Sequence, residues 1–310
     1  MLHACDNQHV AVPDARFHHH REAVRHRLAA RGIAPVGPDS VTWKINREVV
    51  VIAGWGRAIL LQLAHPLVAA GVGDHSTFRS SLTSGFRRLH STIGAMLSLT
   101  FGTEEEAISV AAGINCIHDR VFGRLPDRVG PFPSGEEYSA HDPELLRWVH
   151  ATLLDSIPLT YELLVGPLTP AERDRYCVEA TVIEPLLDIP EGLLPRNWAQ
   201  LDLYMRESVS SGRISVSDTS RSLARSMLFP RHPFILWPAF RAMQLITIGM
   251  LPPAIREAYG FQWTASHARA FVRWTRFIRA VRRISPRMLR EWPRARGRGA
   301  HVRRAVVRRA

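Results

Sequence analysis

The chain has 310 residues, of which 46% are apolar; this is enough to bury a real core in one large or two ordinary domains and excludes disorder as a whole. Its formal charge of +12 invites a nucleic-acid reading, but Arg269 to Ala310 holds 15 arginines against one acid, Glu291, a local +14 that leaves the preceding 268 residues at about −2. A nearly neutral body with a basic end is not a domain with a basic binding face. No zinc-finger, homeodomain or RNP pattern occurs, and no specific nucleic-acid partner is predicted.

The first residues, MLHACDNQHVAVPDARFHHHREAVRHRL, are interrupted by charge and histidine and lack the apolar stretch of a signal peptide, which predicts a cytoplasmic chain. Cys5, Cys116 and Cys177 form no CxxC pair, as suits a reducing compartment. Apolar spacing predicts helices over 15–31, 40–64, 67–72, 78–99, 103–123, 143–166, 170–188, 198–211, 218–228, 234–249 and 263–284. Thr103 followed by Glu104, Glu105 and Glu106 is a helix start, with an N-cap and three carboxylates opposite the helix dipole, and Gly123 is expected to end that helix. Thr169, Pro170 and Glu172 repeat the pattern as a capping box. Arg124 to Asp142, rich in proline and glycine, reads as an ordered surface loop. The apolar windows Val49 to Val72 and Phe234 to Pro253 are broken by Arg57, His65 and Pro66 and by Pro238 and Arg241, so neither reads as a membrane span, although the second could lie on a membrane surface. The prediction is one all-α protein: an N-terminal helical extension (1–39), a single helical domain (40–286) and an arginine-rich tail (287–310). The tail reads as unstructured and free to contact an anionic membrane.

Between Gly54 and Gly123, Arg57, His65, Asp74, His75, Arg88, Thr92 and His118 place polar groups within apolar helical patterns, where each costs free energy unless something satisfies it. A buried ligand or cofactor is one explanation. His118 shares a helical face with Ala107, Ala111, Ile114, Val121 and Phe122, and the small alanines would let a flat group approach. Such a neutral, shielded imidazole suits the proximal ligand of an iron-porphyrin. A lone histidine on an apolar face is more often a core residue bonded to a carbonyl, so spacing alone leaves both readings open. Arg88 and Thr92 are four apart and share a face above Met96, where they could donate to bound oxygen or to a substrate carbonyl; pairing of Arg88 with a surface acid is the alternative. His65 before Pro66 could cap the break that proline imposes, the Asp74-His75-Ser76 turn could bond back to the backbone, and His150 reads as structural in the same way. No HExxH, ExxH pair, GxGxxG, P-loop, GxSxG or CxxCH occurs.

The run LLQLAHPLVAAGVGDH from Leu60 to His75, the Arg88 and Thr92 pair, Phe101-Gly102-Thr103, and His118 with Gly123 after it resemble the latex-clearing proteins (rubber oxygenases) and MpaB-type oxygenases. Tyr138 to Pro143 (YSAHDP), Trp148-Val149-His150, and Leu251-Pro252-Pro253 through Tyr259-Gly260 extend the likeness to actinobacterial members, over roughly residues 40 to 265. The resemblance implies an all-helical fold with a globin-like core around non-covalent haem b. It makes His118 the proximal iron ligand, with Ala111, Ile114, His65 and His75 around the cofactor, and Arg88 and Thr92 the catalytic distal pair. The latex-clearing branch carries a lysine beside the threonine; here the position is Ser91, and Lys44 is the only lysine in the chain. The implied activity is a haem b oxygenase that uses dioxygen on a hydrophobic, isoprenoid-like small molecule, with an unidentified redox partner. A haem- or lipid-binding helical protein without turnover at a membrane surface, and a peroxidase-like enzyme with His75 or His90 as distal base, are the other readings.

Overall fold

The computed structural model describes residues 14–32, 36–75, 82–228 and 237–297, with the backbone alone described at 14, 75, 82–90 and 237–239. The described residues are all-α apart from one short hairpin. The helices are α1 (Asp14–Arg31), α2 (Val41–Asn46), α3 (Ile52–Leu63), α4 (Pro66–His75), α5 (Leu82–Phe101), α6 (Glu104–His118), α7 (Pro143–Leu164), α8 (Pro170–Ala180), α9 (Ile183–Leu187), α10 (Trp198–Ser210), α11 (Asp218–Leu228), α12 (Trp237–Gly249), α13 (Pro253–Ala258), α14 (Ala265–Ile284) and α15 (Arg287–Arg290).

The centre of the molecule is α3 laid along α7, with Leu60, Leu61 and Ala64 buried in one cluster with Trp148, Ala151 and Ile157. Two glycines set how close this packing is. A Cβ at Gly54 would come within 2.5 Å of the Thr160 hydroxyl and 2.8 Å of the Ser156 carbonyl on α7, and one at Gly56 within 2.8 Å of Thr247 on α12. Hydrogen atoms in place of side chains therefore let α3 lie wedged between two neighbours. Arg57, on the same helix, needs no ligand to explain it: its Nε donates to the Met250 carbonyl (2.8 Å), and its Nη1 to Ser156 Oγ (2.6 Å) and to the Asp155 carboxylate (2.6 Å). The guanidinium ties α3, α7 and the end of α12 together.

Local start signals are found where the sequence places them. Thr103 and Glu106 cap each other's backbone at the start of α6, and Thr169 and Glu172 do so at α8 behind Pro170. Elsewhere tertiary contacts override helical spacing. The expected helix 40–64 is broken into α2, a 3-10 turn (Val49–Val51) and α3, because Glu48 takes an extended conformation and buries its carboxylate against Arg282. The helix expected over 170–188 splits into α8 and α9 at Thr181. The helix opened by Thr103 ends at His118 rather than at Gly123, which lies in a hairpin: β1 (Phe122–Arg124) pairs antiparallel with β2 (Glu137–Ser139), Gly123 opposite Tyr138. There a Cβ on Gly123 would strike the Tyr138 hydroxyl at 2.5 Å, so the glycine serves ring packing rather than helix termination. The expected loop 124–142 thus contains a strand, and α13 and α15 were not foreseen.

Both chain ends depart from the expected divisions. The N-terminal helix α1 is part of the core, its Val24 and Leu28 buried with Ile108 and Ala111 of α6 and Leu186 of α9. In the segment read as an unstructured tail, α15 is followed by Glu291, which pairs with Glu48 as an isolated antiparallel bridge, and by Trp292 and Ala295, which pack with Trp43 and Phe101. The Trp292 backbone donates to the Arg47 carbonyl, and Arg294 donates to Ser98 on α5. Residues 287–297 are therefore a strap across the body; 298–310 lie outside the described residues. Among the described residues no single helix is long and apolar enough to cross a membrane. The bent pair Val49–Leu63 and Pro66–Asp74, kinked by 102°, passes by length and composition, but its Leu60, Leu61 and Ala64 lie in the core.

Candidate cofactor site around His118

The last turn of α6 presents His118 to a group of titratable side chains drawn from four elements. Its ring meets His141, from the turn after β2, edge-to-face at 5.7 Å between centroids. Asp119, the next residue, accepts from His141 Nε2 through one carboxylate oxygen and from His20 Nε2 of α1 through the other, both at 2.8 Å. His150 on α7, one turn beyond the buried Leu146, lies close enough for its charge and that of His118 to oppose each other.

Burial decides the protonation of this group. It holds the His118 imidazole down to about 4, reinforced by the neighbouring His141 and only partly offset by Asp119. The same effect, with His118 adding to it, lowers His150 to about 4. Asp119 goes the other way. Desolvation alone would raise its carboxyl, but the hydrogen bonds from His20 and His141 outweigh that and keep it below the usual carboxylate range. The result at neutral pH is a carboxylate clamped by two rings beside two neutral imidazoles. Nδ1 of His118 and Nε2 of His150 are buried and have no hydrogen-bond partner among the described residues.

The remaining expected site residues are distributed more widely. Ala111 is fully buried in the cluster with Val24 and Leu28, and Ile114 packs on the same cluster, so this stretch of α6 serves helix packing against α1 rather than presenting a bare surface. His65 is buried against Phe132 at 5.2 Å, lowered to about 4 by burial and then by the charge of Arg213, and its Nδ1 also lacks a partner among the described residues. Asp74 accepts from the Tyr138 hydroxyl at 2.6 Å, which ties the end of α4 to β2. Thr92 is exposed midway along α5. Arg88 and His90 lie on α5 and His75 ends α4; their side chains are outside the described residues. The only lysine, Lys44, is ion-paired with Glu172. Helical spacing missed Asp119, His141 and His20, because the pairings join positions 99 and 22 residues apart. The single hint was an acid directly after His118.

This arrangement can offer a neutral, water-shielded nitrogen donor. Among the described residues no three His, Cys, Asp or Glu side chains converge as a bare metal ion would need. A porphyrin brings its own nitrogen donors and asks the protein for one axial ligand, which the unpartnered imidazoles fit.

Comparison with known proteins places the chain in a class. Residues 43–282 match the family described as ER-bound oxygenase mpaB/B'/Rubber oxygenase, catalytic domain. The chain belongs to that family, and its helical body is an oxygenase-type catalytic domain. Among individual relatives it is similar to the uncharacterized protein Mb2261 of Mycobacterium bovis and the uncharacterized protein Rv2237 of Mycobacterium tuberculosis, each 27% identical over 249 residues, covering 76% of this chain and 89% of the relative. No solved structure gives a significant match.

Proposed function

We propose that the chain is a haem b oxygenase that uses dioxygen to oxidise a hydrophobic, isoprenoid-like small molecule, with His118 as the protein ligand to iron. The observation that carries this reading is the buried Nδ1, without a partner among the described residues, on a neutral His118 in a member of an oxygenase family. A buried polar atom left without a partner costs about 1–3 kcal/mol, and a ligand that takes up the imidazole's coordinating capacity gives that cost a reason.

Haem b, when bound, supplies the dioxygen activation that amino-acid side chains cannot. The residues of the chain set the conditions for it. His118 stays deprotonated well below neutral pH and so offers its lone pair without first losing a proton. Asp119, gripped by His20 and His141, fixes the turn that follows and hence the attitude of the His118 ring. Thr92, exposed on α5, is a hydroxyl donor that a substrate can reach, and Arg88 stands one turn before it on the same helix. With Ser91 beside Thr92 and Lys44 held by Glu172, no amine is supplied from this helix.

The deciding experiment is the absorption spectrum of protein made with ample haem, with and without dithionite and carbon monoxide. A Soret band, haem extractable by acid acetone, and loss of the band in His118→Ala with helicity retained are expected. No Soret band in the parent protein would overturn the cofactor. A band kept by His118→Ala and lost by His150→Ala would move the axial ligand to α7.

A further inference from the structure

Helix α14 has two apolar faces, and among the described residues only one is packed. Phe271 and Ile278 pack against Ile246 and Met250, and Gly249 has no side chain because the Phe271 and Trp263 rings lie within 2.6 Å of where its Cβ would be. On the outer side, Phe277 is 56% exposed, Val281 is also exposed, and Ile284 is 84% exposed. These residues follow one another at the four- and three-residue steps that place side chains in a line along a helix. The line continues onto α15, where Met288 and Leu289 are each 71% exposed. Large apolar groups scattered singly need no explanation, but a continuous outward stripe does.

What lies beside the stripe indicates the partner. Arg273, Arg276 and Arg283 are exposed on its flank, and none has an acidic partner among the described residues. The only acid after Glu257 is Glu291, and it is buried and taken by Arg47 and Arg287. Among the described residues, α14 and α15 themselves therefore present no acid to oppose an anionic surface. A nucleic acid would satisfy the arginines but leave Ile284, Met288 and Leu289 in water. A lipid bilayer with anionic headgroups satisfies both, taking the aliphatic and aromatic groups at its acyl boundary while the arginines extend to the phosphates. We propose that the outer face of α14 and α15 is a docking surface for an anionic membrane, on which the chain lies peripherally. This holds whatever the chemistry at His118.

The test is co-sedimentation of the full-length protein with vesicles of phosphatidylcholine alone and of phosphatidylcholine mixed equally with phosphatidylglycerol, at low and raised salt. Binding to the mixed vesicles only is expected, weakened but not abolished by salt. Arg273→Gln with Arg276→Gln lowers the partition coefficient about 25-fold, at about fivefold for each arginine. Phe277→Gln with Ile284→Gln lowers it about tenfold at both salt concentrations, with helicity unchanged and the melting temperature lowered only by the loss of the edge-to-face contact between Phe277 and Trp274. Three results would overturn the proposal: no binding to mixed vesicles, parental binding by the Phe277/Ile284 variant, or tighter retention by duplex DNA than by the mixed vesicles. A stripe variant that turns a dimer into a monomer would assign the face to a second copy of the chain instead.

Discussion

Single residues carry much of the specificity of this fold, and two of them give direct measurements. Gly54→Ala drives a methyl group into Thr160 and the Ser156 carbonyl; because one obstacle is backbone, α3 and α7 must separate. The overpacking costs about 1–3 kcal/mol against the roughly 1 kcal/mol gained in helix propensity, so a net loss of up to about 2 kcal/mol in urea unfolding is expected. His65 reports on pH. Its imidazole titrates near 6.5 in the unfolded chain and near 4 when buried, so the unfolded state binds the extra proton in that window. Its contribution is complete above pH 6.5 and is withdrawn as the pH falls toward 4, by up to about 3 kcal/mol. His65→Phe, beside Phe132, removes the titrating group, and its stability between pH 7 and pH 4 is expected to fall less than that of the parent. Equal slopes would show that His65 does not titrate in this way. For Thr92→Ala, exposure sets the scale: a hydroxyl still open to water contributes about 1 kcal/mol, so steady-state turnover of a haem-loaded enzyme is expected to fall about fivefold while the Soret band stays. At this scale the sequence was legible where chemistry is local. His118 could be picked out by its apolar neighbours, but the partners of Arg57, at positions 155, 156 and 250, could not.

At the scale of elements, the caps at Thr103 and Thr169 were readable because a capping box closes within four residues. The breaks at Glu48 and Thr181 were not, since the helical pattern runs through both and only distant contacts interrupt it. The arginine-rich end was misread for a related reason. Its composition suggests a solvated tail, yet Trp292 and Ala295 find a pocket made by Trp43 and Phe101. A consequence can be measured. Glu48 is buried and receives two hydrogen bonds from Arg282 Nε and Nη2, at 2.8 and 2.5 Å. Glu48→Ala leaves that guanidinium without its partner and is expected to cost about 3 kcal/mol in chemical denaturation. Truncation after Ser285 is expected to lower the melting temperature below that of a chain truncated after Gly297. A chain ending at Ser285 that melts like the one ending at Gly297 would return the strap to the status of a loose tail.

Over the whole molecule, the all-α class followed from spacing alone, while the placement of α1 required the structure. Read as an extension, α1 instead covers Ile108 and Ala111 and delivers His20 to Asp119, so the candidate cofactor site borrows a side chain from residues outside the 43–282 family match. Leu28→Ala, at the buried end of α1, is expected to destabilise the fold by about 2–5 kcal/mol, and His20→Ala to alter the haem spectrum without unfolding the protein.

The bond between Glu48 and Arg282 spans 234 residues, and with the bridge to Glu291 it closes the chain on itself near both ends. On the ribosome, the segment joining α2 to α3 emerges early but cannot complete its own packing until almost the last helix has been made. Synthesis at roughly 5–20 residues per second therefore leaves Glu48 and the surface around Trp43 waiting for ten seconds or more. Packing at this junction is thus obliged to wait until Arg282 has left the ribosome. Nascent chains stalled before Arg282 should remain protease-sensitive at the α2–α3 junction and become resistant only once the strap is free to close.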